Sequence, residues 1–194
     1  MKYHLYTLLF LFCLLGLSVP GQAQKMYTSK WASGQLDRRT KVGVWEYFGS
    51  TRSKEMVLVQ RYDHTAKKLL YYRPVGEMTY RTEIAAGQWA SRVLDSPPLF
   101  IGGDAALAAY TTQLQYPPAA QARNIQGQVT VGFAIDTLGR TTSHRVLRSI
   151  GGGCDQEALR VARTIPDEWV PARLGSRAVP VEYELTLTFR LAQP

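Results

Sequence analysis

The chain has 194 residues, enough for one domain or two small ones, and a formal net charge of +8. The excess of positive charge is confined to one part. Residues 24–94 carry 13 Lys and Arg against 6 Asp and Glu, whereas residues 95–194 carry 9 of each. This uneven distribution argues against a nucleic-acid-binding protein, and we expect no nucleic-acid partner.

The first 23 residues have the pattern of a secretory signal peptide. A lysine at position 2 precedes an almost unbroken apolar run over residues 5–17, and Pro20 ends any helix there. Small residues at Gly21 and Ala23 predict cleavage before Gln24, which would release the chain into the periplasm. The alternative is an uncleaved anchor in the inner membrane, although the apolar run is shorter than the ~20 residues a spanning helix needs.

Residues 24–94 predict a basic, β-rich segment. Short aromatic and β-branched runs recur at intervals of about ten residues, as in a meandering antiparallel sheet. Residues 41–47 are similar to the Gly-x-Trp-x-Tyr hairpins of MORN-like repeats. The positive charge could face an acidic cell-wall polymer or anionic lipid, or be only a solvated surface.

A turn cluster at residues 95–98 separates this segment from a second domain, which we assign to residues 95–194. Asp104 is placed to cap a helix that runs to about Gln115, where Tyr116-Pro117-Pro118 ends it. Residues 119–123 predict a short helical turn.

A hairpin, a helix and a long strand follow in that order. Residues 128–135 alternate strictly between apolar and polar or small side chains, residues 136–139 form a turn, and residues 141–149 return. Apolar residues recur with helical spacing up to Ile165, and Pro166 stops that helix. Alternation from about Val179 to Leu191 then predicts a strand with one buried face. The fold class is therefore α+β, an antiparallel sheet with helices on one face.

Several of these segments together resemble the TonB C-terminal domain family over residues 97–192. The resemblance is carried by Pro98 to Asp104, Tyr116 to Ala120, Gly127 to Phe133, Asp136 to Gly139, Asp155 to Leu159, Pro166 to Ala172 and Gly175 to Pro180. The motif residues that we single out are Tyr116, Pro117, Gly127, Trp169 and Pro171.

The resemblance implies a domain that binds a TonB-dependent outer-membrane receptor. In the family, a short extended segment of the receptor adds as a strand beside the last strand of the sheet. An exposed edge favours this mode because its unpaired N–H and C=O groups supply the affinity. The candidate edge comprises Val181, Glu182, Tyr183, Glu184, Leu185, Thr186, Leu187, Thr188, Phe189 and Arg190. The alternative is that this strand is central or covered, since sequence does not give strand order.

Two departures from the family weaken the case for energy transduction. The apolar segment reads as cleavable, and the chain has no Pro-rich spacer. A rival function is therefore a soluble envelope adaptor that binds cell-wall polymer or another envelope protein. The sequence leaves a homodimer open.

We expect no enzyme, no cofactor and no metal site. The three histidines are far apart in sequence, and Ser143 and His144, adjacent on a strand, point to opposite faces. Cys154 near a helix start could be a reactive thiol, but a small packed residue is the usual interpretation. Trp169 is expected to pack on the sheet as core.

Overall fold

A computed structural model describes residues 24–74 and 78–191. The predicted signal peptide lies outside these residues. The described chain forms two five-stranded antiparallel sheets, two short two-stranded sheets and three helices.

The first sheet is a meander in which each strand pairs with the next. Its strands are β1 (Lys25–Thr28), β2 (Ala32–Asp37), β3 (Thr40–Ser50), β4 (Met56–Asp63) and β5 (Lys68–Tyr72). This is the β-rich meander that the sequence predicts.

The core of the first sheet is small and aromatic. Trp45, Tyr47 and Tyr62 are buried there, together with Ile101 from the second half of the chain. Gly34 makes room for the indole, because a Cβ at that position would lie 2.4 Å from the Trp45 ring. The glycine is thus required by packing.

The second sheet has the order β10-β9-β14-β6-β7. Its strands are β6 (Thr79–Ala85), β7 (Gln88–Val93), β9 (Gly127–Ile135), β10 (Thr141–Arg148) and β14 (Val181–Phe189). The β9–β10 hairpin and the long last strand lie where the sequence predicts them. The β6–β7 hairpin comes from residues 24–94 but lies at the edge of this sheet. The domain boundary at residue 95 stays a prediction.

Three helices and four short strands complete the fold. The helices are α1 (Gly103–Thr111), α2 (Pro118–Ala122) and α3 (Cys154–Thr164). The short strands form two pairs: β8 (Leu99–Phe100) with β11 (Trp169–Val170), and β12 (Arg173–Leu174) with β13 (Arg177–Ala178).

The main core lies between the second sheet and α3. The apolar residues of β9 and β14 share one face, and the apolar side of α3 covers it, which confirms the predicted alternation and helical spacing. Trp169 is buried in this core, as predicted. The largest fully buried members of this core are Phe133, Phe189, Ile135, Leu187, Val129, Val131, Val161 and Val181.

The predicted cap and end of the first helix are wrong. The N-cap is Gly102, whose φ of 110° suits glycine, and Asp104 lies within the first turn without a side-chain cap hydrogen bond. The helix ends at Thr111, before the predicted Gln115. The hydroxyls of Thr111 and Thr112 donate to the carbonyls of Ala108 and Ala109, so they take up acceptors in the last turn.

Gln60 joins the two halves of the chain. It is buried on β4, and its Nε2 donates to the Phe100 carbonyl at 3.2 Å while its Oε1 accepts from the Gly102 N–H at 2.6 Å. Both backbone groups lie just before or at the start of α1. These buried hydrogen bonds therefore connect the first sheet to the second half of the chain.

Candidate functional site

The predicted docking strand, β14, is fully paired on one side only. Its partner β9 matches it residue by residue from Val181, opposite Ile135, to Phe189, opposite Gly127. On the other side β6 meets β14 at a single position, Val181 opposite Thr82. Beyond Val181, no described strand pairs with that side.

The contact between β6 and β14 is local. The Glu83 N–H donates to the Pro180 carbonyl at 3.2 Å, and the Thr82 hydroxyl donates to the same oxygen at 2.7 Å. β6 and β7 form a hairpin, and this hairpin covers only the beginning of the candidate edge.

The backbone direction along β14 identifies the groups that stay unpaired. The N–H and C=O of one strand residue point to the same side, and successive residues alternate sides. Because the Pro180 carbonyl points toward β6, the backbone groups of Glu184, Thr186 and Thr188 point toward the open side as well. We call these three residues the open edge; all three are exposed.

The side chains of β14 divide by face. Val181, Leu185, Leu187 and Phe189 are buried in the core. Arg190 follows the last residue of the strand. The predicted ladder therefore shortens at both ends, because Val181 already faces Thr82 and Arg190 is not in the strand.

Two further β14 side chains have their own partners. Glu182 forms ion pairs with Arg81 of β6, at 2.9 Å, and with Arg145 of β10. Tyr183 packs against Trp169 and Phe133, and burial raises the pKa of Tyr183 to about 12. Both residues thus fix the start of the strand rather than present free groups.

A groove of about 590 Å³ opens where β6 separates from β14. Three carboxylates line it, from Asp104, Glu182 and Glu184, against one guanidinium, from Arg81. A peptide main chain that pairs with the open edge and extends toward β6 would enter this acidic groove.

The family-motif residues have structural roles. The Tyr116 hydroxyl donates to the Ile125 carbonyl at 2.6 Å, and its ring packs edge-on against Phe189. Pro117 is the N-cap of α2. Gly127 has a φ of 150°, and Pro171 is half-buried after Trp169. These residues shape the domain around β14 and do not line its open edge.

The structure also brings together Lys41, Tyr47 and His64 on the first sheet, a cluster that the sequence did not predict. The Lys41 ammonium donates to the Tyr47 hydroxyl at 3.1 Å, and that hydroxyl lies 2.6 Å from His64 Nε2. Burial, aided by the nearby Lys41 charge, lowers the pKa of His64 to about 4. Burial also raises the pKa of Tyr47. A protonated Tyr47 that donates to a neutral His64 fits both shifts. The alternation of Trp45 and Tyr47 on β3 was the only sequence signal.

Cys154 is fully buried at the start of α3, and burial raises the pKa of its thiol. A reactive thiolate is therefore disfavoured there. Within residues 24–74 and 78–191, no helix is long and apolar enough to cross a membrane.

Comparison with known proteins gives one match. The family model described as the Gram-negative bacterial TonB protein C-terminal matches residues 112–191, which include β9, β10, α3 and β14. No curated protein and no solved structure matches the chain.

Proposed function

We propose that the chain is a periplasmic binding module for outer-membrane transport, because residues 112–191 match the family model of the TonB protein C-terminal. This match supports a TonB-like domain of the cell envelope. The finer proposal is that it recognises an extended segment of an outer-membrane receptor, or of another envelope protein, by β-strand addition. The proposed role is binding without a catalytic step.

The observation that carries the proposal is the one-sided pairing of β14. Glu184, Thr186 and Thr188 offer three N–H donors and three C=O acceptors on a side that no described strand covers past Val181. A strand added there would gain backbone hydrogen bonds with little demand on its sequence. Its affinity would come from the main chain.

Selectivity would come from the surroundings of the open edge. The outward side chains of Glu184, Thr186 and Thr188 stand beside the position of the added strand. The acidic groove at the β6 end would favour a partner with basic residues near that end.

The test is an NMR titration of the chain with synthetic peptides of the receptor segment. The amides of Glu184, Thr186 and Thr188 are expected to shift most. Thr186→Pro removes an N–H that faces the open side, so the β9 ladder stays intact while the proline ring blocks an added strand. We expect the affinity for the peptides to fall at least tenfold. A loss of this size corresponds to roughly one or two hydrogen bonds between uncharged groups, together with a steric clash.

Thr186→Ala is the matched control, because it keeps the N–H and removes only the side chain. It should bind the peptides nearly as well as the unchanged protein. Equal binding by the proline and alanine variants, or shifts confined to residues outside β14, would refute strand addition at this edge.

A further inference from the structure

A second cavity lies between the first sheet and α1, far along the chain from the open edge. Its volume is about 410 Å³, within the range of roughly 300–1,000 Å³ typical of small-ligand sites. Four aromatic residues line it: Tyr27, Trp31, Trp45 and Tyr47. Gly102, Ala105 and Ala106 at the start of α1 close the other wall. Because that wall consists of small residues, the cavity can take a flat ring.

The aromatic residues form a floor and a rim. Trp45 is only 2% exposed and stacks on Tyr27, with the ring centroids 5.5 Å apart and the planes 27° from parallel. Tyr27 and Trp31 are each 42% exposed. Exposed aromatic faces are flat, apolar and electron-rich, so they suit the C–H face of a sugar ring.

Cations surround this aromatic surface. The Lys41 ammonium lies 5.0 Å from the Trp45 ring and 5.1 Å from the Tyr47 ring, and the Lys30 ammonium lies 4.9 Å from the Trp31 ring. Arg39 also lines the cavity. No carboxylate is among the residues that line the cavity, and neither Lys41 nor Arg39 has an ion pair within the described part of the chain.

The ammonium of Lys41 is held in place with donors to spare. It has three N–H groups, and one donates to Tyr47, which is itself held by His64. Burial lowers the pKa of Lys41, and the more distant Glu168 opposes that shift. Because Lys41 is partly desolvated and makes no ion pair with a described residue, an anion that enters the cavity would stabilise its charge.

We propose that this cavity binds a saccharide unit that carries a carboxylate. The sugar ring would lie against Tyr27 and Trp31, and the carboxylate would accept hydrogen bonds from Lys41 and Arg39. A neutral sugar lacks the carboxylate that would bind Lys41 and Arg39. A simple anion lacks the ring that would lie against Tyr27 and Trp31. The site is independent of the open edge, and its failure would leave the strand-addition proposal untouched.

The experiment titrates the full chain with N-acetylmuramic acid and with N-acetylglucosamine, which lacks the carboxylate. The indole N–H signal of Trp31 is followed by NMR. The acidic sugar is expected to bind about tenfold more tightly, the equivalent of one charge-assisted hydrogen bond. Lys41→Met should abolish this preference, and Arg39→Met, at an exposed position, should reduce it without affecting the fold.

Lys68→Met, an exposed lysine of the same sheet outside the cavity, is the matched control and should keep the preference. Trp31→Ala should weaken both sugars. Equal affinity for the two sugars would overturn the role of the cations. Inorganic phosphate that binds as tightly as the acidic sugar would overturn the role of the rings. Displacement of the Trp31 signal by phosphatidylglycerol vesicles, with no response to the acidic sugar, would assign the surface to a membrane instead.

Discussion

The two large sheets are stabilised by different residues and offer different chemistry to a partner. The second sheet buries an aliphatic core under α3, so what it leaves open at β14 is backbone. The first sheet has a small aromatic core with hydrogen-bonded polar groups at its margin, so what it leaves open is rings and cations. A sheet whose side chains are used in packing has mainly backbone groups left to offer a partner, whereas a thin sheet has side chains left to offer.

The largest expected effect concerns the aliphatic core. Phe133 is fully buried and contacts Trp169 and Tyr183. Phe133→Ala should lower the free energy of unfolding by about 3–5 kcal/mol, because it removes apolar contacts and leaves a cavity. Urea denaturation measures the change. A loss below about 1 kcal/mol would mean that the second sheet does not depend on this core.

The next effect concerns the junction between the first sheet and the start of α1. Gln60→Leu deprives the buried Phe100 carbonyl and Gly102 N–H of their partner, which should cost about 2–4 kcal/mol. Gln35→Leu, at an exposed position of the same sheet, is the control and should cost little. If both substitutions have the same small effect, Gln60 does not hold the first sheet to the segment before α1.

A smaller effect depends on pH. The unfolded chain takes up a proton on His64 near its ordinary pKa of 6.5, whereas the folded chain does so only near 4. The unfolding free energy should therefore fall as the pH drops from 6.5 to 4, and level off below that for this group. His64→Gln should flatten the fall measured by denaturation at each pH.

Burial also lowers the pKa of His144, so protonation of His144 in the unfolded chain also lowers the unfolding free energy below pH 6.5. His144→Gln therefore serves as a comparison and should remove only the His144 contribution to the fall. An unchanged pH dependence in the His64 variant would contradict the Lys41–Tyr47–His64 arrangement.

The smallest effect concerns the hairpin that touches the start of β14. The Arg81 side chain is largely exposed and Glu182 keeps Arg145 as a second partner, so Arg81→Ala should change stability by only about 0–1 kcal/mol. Loosening the hairpin should raise peptide affinity at the open edge by less than about tenfold. Arg140→Ala, which removes a similar exposed pair with Asp136, should leave peptide affinity unchanged. Weaker binding by Arg81→Ala would mean that the hairpin helps to form the site.

Local pattern was enough to predict the framework of the second domain. Strict alternation in β9 and β14, helical spacing in α3 and the proline after α3 each determine an element from neighbouring residues, whereas the prolines at 117 and 118 do not mark the end of α1 at Thr111. β14 pairs with β9 along its whole length and meets β6 at one position. These contacts join residues about fifty to one hundred positions apart, and no local pattern encodes them.

The cluster of Lys41, Tyr47 and His64 could not be predicted for the same reason. His64 lies at the end of β4, and only the antiparallel pairing of β3 with β4 brings it to Tyr47. The spacing of His64 from the other histidines indicates no metal site and gives no sign of this contact. Its role depends on burial, which sequence spacing does not report.

Amide hydrogen exchange along β14 tests most directly whether one side of this strand is open. One-sided pairing of β14 predicts alternation in the peptide-free chain: slow exchange at Tyr183, Leu185 and Leu187, whose N–H groups face β9, and fast exchange at Glu184, Thr186 and Thr188. Added receptor peptide should slow the second set only. Uniformly slow exchange from 183 to 188 without peptide would contradict one-sided pairing, because it would mean that the edge is already occupied.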